Sequence, residues 1–245
     1  MNPDIAQARA CAQASADVYS LSGRAPKDSL IETQLAHVLI RDITGPDQVV
    51  TKLLAFRGTA NPLDFVTDFR IWLKPANGFR VHAGFLTAWQ SVENRILDGM
   101  GASRYLVTGH SLGGALAALC ALAIESRVPN AVTAVHTFGQ PRVGNLTFAL
   151  VYRAALSERT WRWVNEEDVV ARLPGRLSGY CHAGQEVFMP SMGPWRLNPP
   201  LWFKLASDLV GAYREWRDGR IALLADHHIA AYQAKVVDTV QKNSI

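Results

Sequence analysis

The run Gly109, His110, Ser111, Leu112, Gly113 joins a short apolar stretch, Tyr105 to Thr108, to an Ala- and Leu-rich stretch, Leu112 to Glu125. The first reads as a strand and the second, by length and composition, as a buried helix. A strand that passes into a helix through a tight glycine-flanked turn restricts the fold, because the helix has to return across a sheet whose strands run parallel. The same order recurs downstream. Ala131 to Phe138 predicts a strand, Gly139 to Gly144 a turn, Leu146 to Leu156 a helix, and the region near Trp161 to Val164 another strand. Upstream, Leu35 to Ile43 and Val49 to Phe56 flank the turn residues Gly45, Pro46 and Asp47 and predict a hairpin. Residues 4 to 20 have helical spacing, which Gly23 and Pro26 end. The expected fold class is therefore α/β, a mostly parallel central sheet flanked by helices with an N-terminal hairpin.

At 245 residues the chain suits one α/β domain, and 49% hydrophobic with 19% charged residues excludes a disordered chain. The formal charge of +4 is mild and its Lys and Arg are scattered, which argues against nucleic acid as a partner. Cys11, Cys120 and Cys181 are odd in number and widely spaced, so they read as free thiols and not as a disulfide framework. The N-terminal residues lack the basic start and apolar block of a secretory leader, making a cytoplasmic origin the default, with processed or leaderless export as the alternative. No apolar run approaches the ~20 residues of a transmembrane helix.

The turn itself suggests chemistry. Its fixed GxSxG positions recur by chance roughly 0.1 times in a chain this long, so the context carries the argument and the pattern alone does not. Small residues flank the serine because a sharp turn strains its backbone and lifts its hydroxyl above the sheet. The Leu112 N–H, at the helix start, then faces any oxyanion forming on a substrate. A hydroxyl needs a base, and the base needs a carboxylate to orient it. Hydrolases built on such a turn take these in the order Ser, Asp or Glu, His. Past Ser111 that leaves His227 and His228 near the chain end, and an acid among Glu166, Glu167 and Asp168, where Asp168 lies in a loop at a strand end. His110 reads as a packing or hydrogen-bonding residue, since adjacent side chains point apart.

Several patches together resemble the class 3 lipases, the fungal-lipase-like branch of the α/β-hydrolases. They are Phe56 to Thr59, Asp64 to Phe69, Val81 to Phe85, Gly109 to Ala115, Thr137 to Asn145, Asn165 to Pro174 and Asp226 to Tyr232, in family order. The resemblance implies Ser111 as nucleophile, Asp168 as triad acid and His227 as base, with His228 as the fallback. It also implies Thr59 and Leu112 as the oxyanion donors, and Tyr232 at the spacing of a DHxxxxY ending. Asp226 is read as structural. It implies in addition a lid, here residues 60 to 78, in which Asn61 and Pro62 would start a helix and Phe65, Val66, Phe69, Trp72 and Leu73 would form its apolar stripe. The stretch from 190 to 224, with Trp195, Trp202 and Trp216, departs from the fungal pattern and is read as a cap insertion, a satellite cluster or an interfacial anchor.

The expected activity is thus serine carboxylic-ester hydrolysis through an acyl-enzyme, with triacylglycerols as first substrate. Short-chain carboxylesterase, phospholipase A1 and feruloyl esterase are the alternatives within that mechanism, and an inactive hydrolase-fold binding module is the alternative outside it. No metal or organic cofactor is expected, because HExxH, paired CxxC, Walker A and GxGxxG patterns are all absent. The expected partners are a lipid or other ester and, transiently, a lipid interface, with the chain a monomer.

Overall fold

The structure, a computed structural model, describes residues 2–21, 30–44, 48–58, 72–101, 103–166, 168–191, 193–204 and 227–242. Helix α1 (Ile5–Leu21) precedes three strands, β1 (Leu30–Glu32), β2 (His37–Thr44) and β3 (Val50–Phe56). After β4 (Leu73–Ala76) and β5 (Phe79–His82) come α2 (Ala83–Gln90) and α3 (Glu93–Leu97). The central run is β6 (Arg104–His110), α4 (Leu112–Arg127), β7 (Val132–Phe138), β8 (Gly144–Asn145), α5 (Leu146–Leu156) and β9 (Thr160–Asn165). The chain ends with β10 (Tyr180–Cys181), β11 (Gln185–Met189), β12 (Arg196–Leu197) and α6 (Ile229–Lys242).

The main sheet has the order β1-β2-β3-β6-β7-β9-β11-β12. Its five central strands, β3, β6, β7, β9 and β11, pair in parallel, while β1, β2 and β12 add antiparallel edges. This is the mostly parallel sheet that the recurring strand-turn-helix order predicts, including the β2–β3 hairpin, and it agrees with the α/β-hydrolase fold that the resemblance implies. Both faces are covered, as parallel strands require. Leu54, Phe56 and Val107 pack with α2, α4 and α5, whereas Leu53, Ala55 and Leu106 face α1 and α6. Helix α1 presents Ala8, Cys11, Ala12 and Ser15 to the sheet, with Ser15 Oγ 3.0 Å from Thr108 Oγ1. Small side chains on that face let the helix sit close to β6. All three cysteines are free, and Cys11 and Cys120 are buried.

A small second sheet, β10-β8-β5-β4, stands apart from the main one. It corrects the reading of 60 to 78 as a helical lid in its last part. Residues 59–71 lie outside the described residues, but Leu73 is in β4 and Trp72 precedes it, exposed, so neither continues a helical stripe. β4 and β5 form a hairpin because Asn77 and Gly78 both take positive φ, 46° and 84°, the backbone that a tight two-residue turn demands. Pro75 is tolerated because β4 is an edge strand. The start of the 190 to 224 stretch also finds a place in the fold. β12 extends the main sheet beside β11, and Phe203 packs edge-on against Phe188 with ring centroids 6.2 Å apart. Residues 205–226, including Trp216 and Asp226, lie outside the described residues.

Candidate active site

The carboxyl ends of parallel strands leave a crevice where ligands bind in open α/β sheets. β3, β6 and β9 end there in Arg57–Gly58, in Ser111 and in the loop carrying Asp168. Ser111 stands between β6 and α4 with φ 59° and ψ −129°, a conformation that costs a non-glycine residue of order 1–3 kcal/mol. Its neighbours hold it there. The Ser111 N–H donates to the Phe138 carbonyl at 2.9 Å, and the Gly114 N–H donates to the Ser111 carbonyl at 2.9 Å. The two flanking glycines are steric necessities: a β-carbon on Gly109 would run into the Gly113 carbonyl, and one on Gly113 into that of Phe56.

His227 and Asp168, separated by 59 positions, meet in the buried interior. His227 Nδ1 lies 3.0 and 2.9 Å from the two carboxylate oxygens. Because a carboxylate only accepts, Nδ1 carries the proton and Nε2 keeps its lone pair. The carboxylate is fixed from its other sides. Oδ1 accepts from the Val170 and Ala171 N–H groups at 2.8 and 3.4 Å, and Oδ2 accepts from the Tyr232 hydroxyl at 2.5 Å. The Tyr232 oxygen is itself held by the Asn165 N–H at 3.1 Å. His228, one residue on, points outward and is exposed. Glu166 is buried but accepts from the Ser191 N–H instead, and Glu167 lies outside the described residues. Among the described residues neither Ser111 Oγ nor His227 Nε2 has a hydrogen-bond partner, although both are buried. They are not bonded to each other; such contacts often tighten only when substrate binds.

Leu112 is the first residue of α4, so its N–H has no intrahelical acceptor. Thr59, the other expected oxyanion donor, lies outside the described residues, directly after Gly58. A cavity of about 240 Å³ lined by His37, Arg57, Gly58 and Leu112 opens at this point. Leu35, which also lines it, lines a largely apolar one of about 550 Å³ as well, together with Trp72, Leu73, His82 and Thr87. A larger cavity of about 760 Å³ lies along Leu119 to Arg127, the half of α4 remote from Ser111.

Two neighbours of the site are not marked as such in the sequence. Gly139 has φ 60°, and a β-carbon there would come within 2.6 Å of Asp168 Oδ2 and 3.0 Å of the His227 ring. Gly139→Ala is expected to displace both side chains, lowering kcat about 100-fold because displacements near 1 Å cost that much. Steady-state kinetics on a variant that melts as a folded protein checks this; turnover within threefold of wild type would show that the pair can give way. Tyr19, near the end of α1, has its hydroxyl 3.0 Å from His110 Nδ1. The only signal for it was its place four residues beyond Ser15, on the buried face.

The family model for class 3 lipases matches residues 53–178. A lipase of Rhizomucor miehei is 35% identical over 162 residues, which is 60% of this chain and 44% of that protein. A protein of Fusarium solani named secreted mono- and diacylglycerol lipase 1 is 34% identical over 148 residues, covering 56% of this chain and 43% of its own length. The chain thus spans less than half the length of these curated relatives. Among solved structures, a triacylglycerol lipase described as having a serine protease triad at its catalytic centre superposes with a TM-score of 0.64 at 26% identity, over 80% of this chain and 84% of that one.

The cytoplasmic default is overturned by this comparison, in which the Fusarium relative is secreted by name. The physical reason for the misreading is that residues 5–21 are a helix packed on the core, so their composition answers to that packing. Free cysteines do not oppose export either, because a core of this size needs no disulfide to be stable. No helix among the described residues is long and apolar enough to cross a membrane. On the match to more than half of its length, this chain belongs to the class 3 lipases.

Proposed function

We propose that the protein is a serine carboxylic-ester hydrolase that cleaves acylglycerols through an acyl-enzyme. In this reading Ser111 Oγ attacks the ester carbonyl while His227 Nε2 takes its proton. The tetrahedral oxyanion lies against the Leu112 and Thr59 N–H groups, and each such donor supplies about 3 kcal/mol of transition-state stabilisation. His227 then returns the proton to the departing alcohol, and water repeats the sequence to release the fatty acid. Asp168 keeps the imidazole in the tautomer that leaves Nε2 basic. The observation that carries the reading is the buried His227–Asp168 hydrogen bond of 2.9 Å, with the His227 carbonyl bonded to His110, the residue that precedes the strained Ser111. The apolar cavity beyond Leu35 supports a hydrocarbon acyl group, and the relatives' names support glycerol esters.

A fluorophosphonate is expected to label one serine per chain, Ser111, and emulsified triacylglycerol is expected to release fatty acid. Labelling without glyceride hydrolysis, but with turnover of p-nitrophenyl acetate, moves the substrate to short esters. A chain that neither labels nor hydrolyses any ester is a binding module, and the proposal fails.

A further inference from the structure

His110 is buried beside the site, with its ring centroid 4.7 Å from that of His227. Burying an imidazole is costly unless both ring nitrogens are satisfied, and an apolar residue would fill the same volume without that cost. Its contacts give the reason for a histidine. Nε2 lies 2.5 Å from the carbonyl oxygen of His227, and Nδ1 lies 3.0 Å from the Tyr19 hydroxyl. A carbonyl only accepts, so Nε2 carries the proton, Nδ1 is the acceptor, and the tyrosine donates. The Tyr19 hydroxyl also packs directly on Gly58, where a β-carbon would fall 2.4 Å from it, at the loop that leads into Thr59. A neutral imidazole meets both demands, with a donor at one ring nitrogen and an acceptor at the other.

We propose that Tyr19 and His110 are positioning residues of the hydrolytic site, a neutral hydrogen-bonded bridge that holds the main chain of His227 and of Gly58 in register with Ser111. The proposal rests on the ester-hydrolase reading for its kinetic consequences, though not for the bridge itself. Burial, with His227 adjacent, drives His110 down to about 3, and burial pushes Tyr19 up to about 12, so both stay uncharged through the working range. Neutrality matters because the rings of His110 and His227 are 4.7 Å apart, and a charge on the first would oppose the imidazolium that forms on the second. A buried neutral histidine alone proves nothing. His136 is likewise driven to about 3, but it bonds Gln7 and Trp163 and touches no part of the site.

The test uses the full chain with 15N-labelled histidine, together with Tyr19→Phe, His110→Gln and His110→Leu. Wild-type His110 is expected to show a protonated Nε2 and an unprotonated, hydrogen-bonded Nδ1 at neutral pH. Tyr19→Phe is expected to shift only the Nδ1 resonance and to lower kcat about 10-fold with KM within about twofold, the pattern of lost alignment with binding retained. His110→Leu removes the donor to the His227 carbonyl and is expected to cost about 100-fold, while the Gln variant, which keeps an N–H donor, recovers at least about 10-fold of that loss. An Nδ1-protonated or cationic His110, or a folded Tyr19→Phe enzyme with unchanged kcat, overturns the proposal. Equal losses in the Gln and Leu variants overturn it as well, since they would report packing alone. Failure of the ester-hydrolase reading is separate: it appears as absent turnover and labelling in the wild type, while the nitrogen spectrum still reports the bridge.

Discussion

Ser111→Ala and His227→Ala are each expected to lower kcat for ester hydrolysis by about 10⁶-fold, and the double variant no further, because a nucleophile without its base and a base without its nucleophile fail at one step. His228→Ala is expected to remain within about twofold of wild type, since its ring is exposed while its neighbour's Nδ1 sits 2.9 Å from Asp168. The three variants together separate the adjacent histidines. Loss of fluorophosphonate labelling should follow Ser111 absolutely and His227 in rate only, because the probe still meets an un-ionised hydroxyl when the base is gone. If His228→Ala were the inactive variant and His227→Ala active, the assignment of the base would be wrong. The chain would then have to move 227–228 before reaction, a rearrangement that the bonds of His227 to Asp168 and His110 oppose.

How far these residues were legible in the sequence depends on the range of the forces that place them. The Ser111 turn was readable because its constraints are local: two glycines, a strand before and a helix after. The β2–β3 hairpin was readable for the same reason. The Asn77–Gly78 turn carried an equally local signal, one of the strongest for a hairpin, but apolar residues spaced three and four apart drew 60 to 78 into a single helical reading that its last residues do not obey. The choice between His227 and His228 rested on family likeness, since one residue's shift in register decides which ring faces inward. Packing at the carboxyl end of the sheet decides it. Gly139 and Tyr19 were beyond local reading altogether. Nothing near Gly139 announces that Asp168 and His227 press on its α-carbon, and Tyr19 meets His110 across 91 positions.

Asp168→Asn is expected to lower kcat by about 10⁴-fold at a stability cost of about 1–3 kcal/mol, and the hydrogen bonds around the carboxylate say why. Oδ1 is fixed by the Val170 and Ala171 N–H groups, so an asparagine must place its oxygen there and its NH₂ at the position of Oδ2. That NH₂ then faces His227 Nδ1 and the Tyr232 hydroxyl. Two donors cannot share one bond, and the other acceptor within reach of Nδ1, the oxygen 3.0 Å away at Oδ1, already takes two backbone N–H groups. His227 is therefore expected to accept at Nδ1 and move its proton to Nε2, the atom that must be free to take a proton from Ser111. Tyr232 meanwhile loses its acceptor, while its oxygen stays engaged by Asn165 N–H. The loss is therefore one of tautomer with the shape preserved. Two measurements check it: kcat against ester substrate, and the nitrogen resonances of His227, which should exchange from Nδ1–H to Nε2–H. A variant that keeps more than about a tenth of wild-type kcat with the tautomer reversed would mean that Nε2 basicity does not limit the reaction, and that the carboxylate serves this fold only as a structural anchor.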